Sequence, residues 1–295
     1  MQLSPKQDAE PLRFAMDAER FFARFPKKPG DAHKNTYGKT LLIGGGYGMA
    51  GAVCLNILGA KTVGASYLHV ALPEPIYPIA ASRFLTPVYH PFDETNALGT
   101  VGGLLPQMRA VGFGSGAVRM PQKKALLQLL LDETQAPTVL DAEALNLLYL
   151  PQLALRASEA PFLLTPHFGE FSRLSGVPIE EAAADPVSAA RRFAKEHGVI
   201  LVLKGPHTAV AAPDGRFYRN ESGNPALAQA GSGDVLTGML AAMLTLLDDP
   251  FEAACSAVWL HGYVADEGRR AHCCQCFPLE DFPAIADRIF LSRGF

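Results

Sequence analysis

The stretch of this chain best equipped for chemistry is Ala230-Gly231-Ser232-Gly233-Asp234, within NPALAQAGSGDVLTGML at Asn224 to Leu240. Its two glycines let the backbone approach a ligand closely. The apolar-periodic run Val235 to Leu247 predicts a helix that opens at this turn, so free amide groups and the helix dipole point at an anion. Phosphate is the anion that fits, with Gly231, Ser232 and Gly233 as backbone donors. Asp234 has two readings. A carboxylate at a helix start is a common cap and a favourable charge near the dipole, and it is equally placed to take a proton from a hydroxyl attacking a phosphoryl group. Glycine turns before helices are common, so spacing alone leaves both readings open.

Two further clusters offer partners for this turn. In Val202-Leu203-Lys204-Gly205-Pro206-His207-Thr208 a lysine and a glycine follow a buried strand and a threonine begins the next. A cation and hydroxyl there could reach nucleotide phosphates; the plainer reading is a solvated lysine in a hairpin. In Leu164-Thr165-Pro166-His167-Phe168-Gly169-Glu170-Phe171 a strand end gathers hydroxyl, imidazole and carboxylate. His167 reads as a ligand contact, whereas Glu170 fits a ligand or a helix dipole equally well.

The elements that must hold these residues alternate between strand and helix patterns from Lys39 onward, which predicts an α/β fold with a mostly parallel sheet. Strands are expected at Thr40 to Ile43, Ser66 to Ala71, Ala110 to Val111, Thr138 to Leu140, Phe162 to Leu164 and Val199 to Leu203. Helices are expected at Ala50 to Val63 (small residues facing the sheet), Gln122 to Leu131, Ala142 to Leu148, Glu170 to Leu174 and Val187 to His197. Thr208 to Ala211 and Phe217 to Arg219 form a hairpin around Asp214-Gly215. Polar residues recur just past strand ends, so the site belongs at the carboxyl edge of the sheet.

The bulk numbers exclude several classes. The 295 residues are 48% hydrophobic and 19% charged, with net charge −3: a globular chain without the basic field that nucleic acid or an acidic membrane would need. Apolar runs are strand-length, far short of the roughly 20 residues that span a bilayer. The amino terminus lacks the pattern of a secretory signal, and a cytoplasmic location is the expectation. Residues 1–30 read as an extension, with Pro26 to Gly30 as a linker, and residues 31–295 as one domain. Five cysteines argue against a disulfide framework. His272-Cys273-Cys274-x-Cys276 lacks the second ligand pair of a structural zinc site, so reduced thiols in a late loop are expected and no metal-ligating residue is assigned.

The three clusters in this order, with His33-Lys34-Asn35-Thr36-Tyr37-Gly38-Lys39 before the first strand, resemble the ADP/ATP-dependent NAD(P)H-hydrate dehydratase family. The resemblance covers Pro26 to Glu267. It includes Gly-Gly-x-x-x-x-x-Gly-Ala at Gly44 to Ala52, Gly-x-Gly at Gly112 to Gly114, Asp-Ala-x-Ala-Leu at Asp141 to Leu145 and Thr-Pro-His-x-Gly-Glu at Thr165 to Glu170. Each pattern is weak alone and the ordered set is specific. The resemblance implies a ribokinase-like fold and repair of NADH or NADPH hydrate. ADP or ATP would phosphorylate the hydrate hydroxyl, with Asp234 as base, and phosphate would then be eliminated. It implies that Ala52, Gly114, His167 and Asp234 contact the hydrated dinucleotide, and that Lys204, Gly205, Pro206, His207, Thr208, Gly231, Ser232 and Gly233 hold the nucleotide. Magnesium as a charge-neutralising ion and a homo-oligomer, often a tetramer, are further implications.

The chain departs from the family's usual forms at Phe168 and at Gly46 to Met49, and the epimerase domain fused to some members is not expected in it. A ribokinase-like kinase for hydroxymethylpyrimidine, hydroxyethylthiazole or a sugar, and a non-catalytic nucleotide sensor, are the alternatives. Thr-Pro-His-x-Gly-Glu speaks against the first and Asp234 against the second.

Overall fold

The computed structural model describes residues 13–148 and 160–295; residues 1–12 of the expected extension lie outside them. Nine strands run β1 (Thr40–Ile43), β2 (Leu68–Pro73), β3 (Val88–Phe92), β4 (Ala110–Phe113), β5 (Thr138–Leu140), β6 (Phe162–Leu164), β7 (Ile200–Leu203), β8 (Ala209–Ala211) and β9 (Phe217–Arg219). They form one sheet in the order β3-β2-β1-β4-β5-β6-β7-β8-β9. Pairing is parallel from β3 through β7, and β8 and β9 close the edge antiparallel, as the hairpin pattern predicts.

Alternation along each strand sends side chains into two cores, one on each face. Leu42, Val70, Val139 and Val202 face the helices Ala50–Thr62, Ser232–Leu246 and Pro250–Gly268. Leu41, Ile43, Leu140 and Leu203 face the helices Ala97–Leu104, Lys123–Glu133 and Pro186–His197. The chain leaves β1 toward β2 and β3, then returns to place β4 on the other side of β1. That reversal opens a crevice between the carboxyl ends of β1 and β4, where ligands of open α/β sheets bind.

Three expectations are corrected. β4 extends through Gly112 and Phe113, because Gly112 lies under Leu42 and Ala241, where an added Cβ would come within 3.0 and 3.3 Å of them. The small residues of helix Ala50–Thr62 meet a helix as well as the sheet: a Cβ on Gly59 would stand 1.9 Å from the Val235 carbonyl oxygen, and one on Gly238 1.9 Å from that of Asn56. Helix Ser232–Leu246 starts three residues before the expected Val235, which puts Asp234 inside its first turn. Within the amino-terminal extension, Met16 and Phe21 are buried in the first core.

Candidate active site

The joint between the turns after β1 and β4 is built on glycine. Gly45 N–H donates to the Ser115 carbonyl at 2.8 Å. Gly114 has φ +123°, and a Cβ there would lie 1.9 Å from the Asp141 carbonyl oxygen, so no other residue fits. Ala52 seals the same joint, its Cβ 2.6 Å from where a Cβ on Gly116 would be. This packing holds the buried Ser115 beside Asp141.

Asp141 follows β5 and is 2% exposed. Its Oδ1 accepts from Lys204 Nζ at 2.7 Å and from Thr165 Oγ1 at 2.7 Å, and its Oδ2 lies 3.4 Å from Ser115 Oγ. Burial works to raise this carboxyl, but the Lys204 ammonium, assisted by the Thr165 and Thr237 hydroxyls, outweighs it and holds Asp141 below the ordinary carboxylate range. Lys204 is subject to the mirror-image balance. Burial works to remove its proton, while Asp141, Glu170 and Asp234 keep it charged and raise its pKa. The lysine is thus not the solvated hairpin residue of the plainer reading.

Asp234 sits half-buried in the first turn of its helix. Loss of water and the neighbouring Asp141 charge push its carboxyl up to about 6, against the Ser115 hydroxyl and the Lys204 ammonium. Ser115 Oγ accepts from Asn56 Nδ2 at 3.0 Å, so its own hydrogen is left to donate to a carboxylate. Asn56 Nδ2 also donates to the Asp234 carbonyl at 2.8 Å and ties the helix start to the joint. Two carboxylates with oppositely shifted pKa values are the arrangement in which one stays charged while the other exchanges a proton near neutrality.

The turn before Asp234 is shaped by glycine. Gly231 has φ +93°, and a Cβ there would strike Leu55 Cδ1 at 2.4 Å. No side chain caps the helix, so its opening amide groups are available to an anion. A Cβ on Gly233 would be 3.3 Å from Lys204 Nζ, which places the ammonium against this helix start.

A cavity of about 930 Å³ opens beside the helix start, within the size range of small-molecule sites. Of the residues expected to hold a nucleotide, Lys204, Gly205, Pro206, Thr208, Ser232 and Gly233 border it. His207 and Gly231 do not: His207 Nδ1 instead approaches Asn220 O and Glu221 Oε2, both at 3.3 Å, and Gly231 shapes the turn. His167, expected to touch the dinucleotide, borders the cavity too. Its Nδ1 accepts from the N–H groups of Gly169 at 3.0 Å and Glu170 at 3.2 Å, and Glu170 returns the bond to His167 N–H at 2.8 Å. This capping box answers what Glu170 does locally. Ala52 and Gly114 lie at the joint and do not border the cavity.

Sequence reasoning assigned no role to Asn56, Ser115, Asp141 or His261, although Asp141 opens one quoted motif and Ser115 directly follows another. His261 is buried, and its Nε2 lies 3.1 Å from the Ser232 carbonyl. A carbonyl only accepts, so Nε2 carries the hydrogen. Burial lowers the ring to about 4 and keeps it neutral. It braces the glycine turn from helix Pro250–Gly268 and borders the cavity as well. Asn220, Ser222 and Asn224, which also border the cavity, were missed as well. Ser222 Oγ donates to the Trp259 carbonyl at 2.8 Å, and Asn224 Nδ2 to Asp266 Oδ1 at 2.9 Å.

The sequence pattern of the family described as NAD(P)H-hydrate dehydratase matches residues 40–281. The chain belongs to this family. It is 33% identical over 274 residues to the ADP-dependent (S)-NAD(P)H-hydrate dehydratase of Bacillus subtilis, covering 92% of this chain and 96% of that one. A crystal structure of the ADP/ATP-dependent NAD(P)H-hydrate dehydratase from Bacillus subtilis, co-crystallised with ATP and Mg2+, superimposes with a TM-score of 0.84 at 31% identity, over 96% of this chain and 99% of that one. A ribokinase-like superfamily protein from Enterococcus faecalis shares the fold, with a TM-score of 0.82 at 22% identity, over 97% and 99% of the two chains. The expected ribokinase-like architecture is therefore present. The chain also spans about half the length of the bifunctional NAD(P)H-hydrate repair enzymes it matches in Moorella thermoacetica and Gloeobacter violaceus. Among the described residues, no helix is long and apolar enough to cross a membrane.

Proposed function

We propose that this member of the NAD(P)H-hydrate dehydratase family restores hydrated NADH or NADPH to the reduced cofactor, consuming ADP or ATP. The observation that carries the reading is the pair Asp141 and Asp234, joined by Ser115 and Lys204, at the start of an uncapped helix beside a nucleotide-sized cavity.

The nucleotide occupies the cavity bordered by Gly205, Thr208 and Gly233, and its terminal phosphoryl group faces the first-turn amides. The hydrate lies over the β1–β4 crevice with its carbon 6 hydroxyl toward Asp234. Asp234 takes the hydroxyl proton as the oxygen attacks the terminal phosphorus, and AMP or ADP leaves. The ring nitrogen lone pair then expels phosphate, and loss of a proton from carbon 5 restores the ring double bond. Lys204 and the helix amides meet the negative charge that develops on the phosphoryl oxygens. With a pKa of about 6, Asp234 is a stronger base than a free aspartate near 3.9 and remains mostly ionised at neutral pH.

Magnesium belongs with the nucleotide. Among the described residues, no group of three or more His, Cys, Asp or Glu could hold a metal, and Asp141 is already matched by Lys204. This donor set fits an ion carried mainly by phosphates and water, which would supply charge neutralisation at the phosphoryl group.

The test is to supply purified protein with NADH or NADPH hydrate, magnesium and either ADP or ATP. Recovery of the reduced-nicotinamide absorbance, with AMP or ADP formed in equal amount, is the expected result. Nucleotide turnover with a stable phosphorylated alcohol and no recovered cofactor would identify a small-molecule kinase instead.

A further inference from the structure

We propose that Cys273 and Cys276 are a reversible oxidation site, a dithiol closing to a disulfide within one turn, whose state is transmitted to the wall of the nucleotide cavity. The site is built by the 3-10 turn Cys274–Cys276, with Cys273 at its amino-terminal flank. Cys273 and Cys276 are exposed and stand three residues apart across this turn, the spacing at which 3-10 geometry brings side chains over one another. Donation from Cys276 and Gln275 favours the thiolate and lowers the Cys273 pKa, whereas the neighbouring Cys273 sulfur raises that of Cys276. Cys273 is therefore the nucleophile and Cys276 the resolving thiol.

Cys274 is turned away from this pair. It is partly buried, and its Sγ donates to Asn224 Oδ1 at 3.8 Å. The same Asn224 oxygen accepts from Ala226 N–H at 3.0 Å, and Gln229 Nε2 donates to the Phe277 carbonyl at 3.0 Å. Asn224 and Gln229 both border the cavity. The turn is thus tied to the cavity wall on both sides, through Cys274 and through Phe277, and closing it shifts the anchors of that wall.

The chemistry needs a small-molecule disulfide as oxidant. Cys273 thiolate attacks one of its sulfurs, forming a mixed disulfide and releasing one thiolate, which takes the Cys276 proton. Cys276 thiolate then attacks Cys273 Sγ and releases the second thiolate, which is protonated by solvent. Two protein thiols are oxidised and one disulfide is reduced to two thiols.

The test is to equilibrate the whole protein in glutathione buffers of graded potential, then measure intact mass, map the linkage and titrate ADP binding. The wild type should lose two hydrogens, with the link between Cys273 and Cys276 and with Cys274 still open to alkylation. Cys276→Ser should stop at a glutathione adduct on Cys273. Oxidation should change the ADP Kd at least threefold in the wild type, reversibly with dithiothreitol, and leave that of Cys276→Ser unchanged. A persistent adduct in the wild type, a link through Cys274 or no reaction overturns the site, and an unchanged Kd in a fully linked protein overturns its coupling to the cavity. The coupling rests on the nucleotide reading above and the disulfide does not: failure of reduced protein to bind ADP counts against the nucleotide reading, while mass and mapping still decide the site.

Discussion

Asp234 answers to two opposed demands. Loss of water and the Asp141 charge raise it to about 6, which makes it a useful base and a poor contributor to folding. A carboxyl raised in the folded state stabilises below its unfolded pKa, and that contribution disappears as pH rises through the folded value. Between pH 3.8 and about 6 the protein should therefore lose at most about 3 kcal/mol that Asp234→Asn retains. The variant is expected to melt several degrees higher than the wild type at pH 8, with the gap closing near pH 4. Its dehydratase rate should fall by about 10²–10⁴-fold while nucleotide still binds. In the wild type, kcat/KM should decline as pH drops through about 6, because the base becomes protonated. The opposite sign holds for Asp141, whose depressed pKa gives stability present at neutral pH and lost in acid. Removing its partner with Lys204→Met strands a buried charge and should cost about 3–5 kcal/mol, much of it recovered by adding Asp141→Asn. Urea melts of the two single variants and the double variant measure this directly.

Two helices that meet through glycine and backbone position those residues. Helix Ala50–Thr62 supplies Asn56, helix Ser232–Leu246 supplies Asp234, and they touch backbone to backbone at Gly59 and Gly238. Gly59→Ala places a methyl 1.9 Å from the Val235 carbonyl oxygen, so the helices must separate. The expected outcome is a loss of about 1–3 kcal/mol together with a lower kcat, since the Asn56 bond to the Asp234 carbonyl is stretched; stability and kinetics of the one variant check both. The sequence announced these helices and the strands β1, β5, β6 and β7, whose apolar runs end in polar residues or glycine. It did not announce β3, Val88–Phe92, whose Pro91 and mostly unburied side chains suit an edge strand and erase the alternation that marks a strand. Nor did it announce helix Pro250–Gly268, buried on most sides, which leaves no polar stripe to give its period away. The glycine turn was legible because its backbone requires glycine, and Lys204 because it stands at a strand end beside a glycine; the His167–Glu170 capping box was not, since His167 reads from sequence as a ligand contact. Asn56 and His261 were not, because their roles come from long-range packing, 178 residues apart in one bond and 29 in the other.

At the scale of the whole molecule, helix Pro250–Gly268 links the amino-terminal segment to the site. Phe21 is 1% exposed, with its ring centroid 4.9 Å from that of Trp259 and 6.1 Å from that of Phe290. Two residues further along the helix, His261 braces the Ser232 carbonyl, and Val258 and Gly262 border the cavity. Phe21→Ala should therefore cost about 3–5 kcal/mol through the cavity it leaves without removing any group from the site. Trp259 is the sole tryptophan of the chain, so its fluorescence reports the loss directly in a denaturant titration. A ligand that binds the folded state alone restores stability by mass action, about 2.7 kcal/mol at 100 times its Kd. ADP at that excess should return a large part of what Phe21→Ala removes, with kcat near the wild-type value once the protein is saturated. Stability restored by ADP without recovered kcat would show that the amino-terminal aromatic cluster also sets the geometry of the anion turn through helix Pro250–Gly268. Absence of any restoration would show that the folded variant does not bind ADP, which counts against the nucleotide reading of the cavity this helix borders.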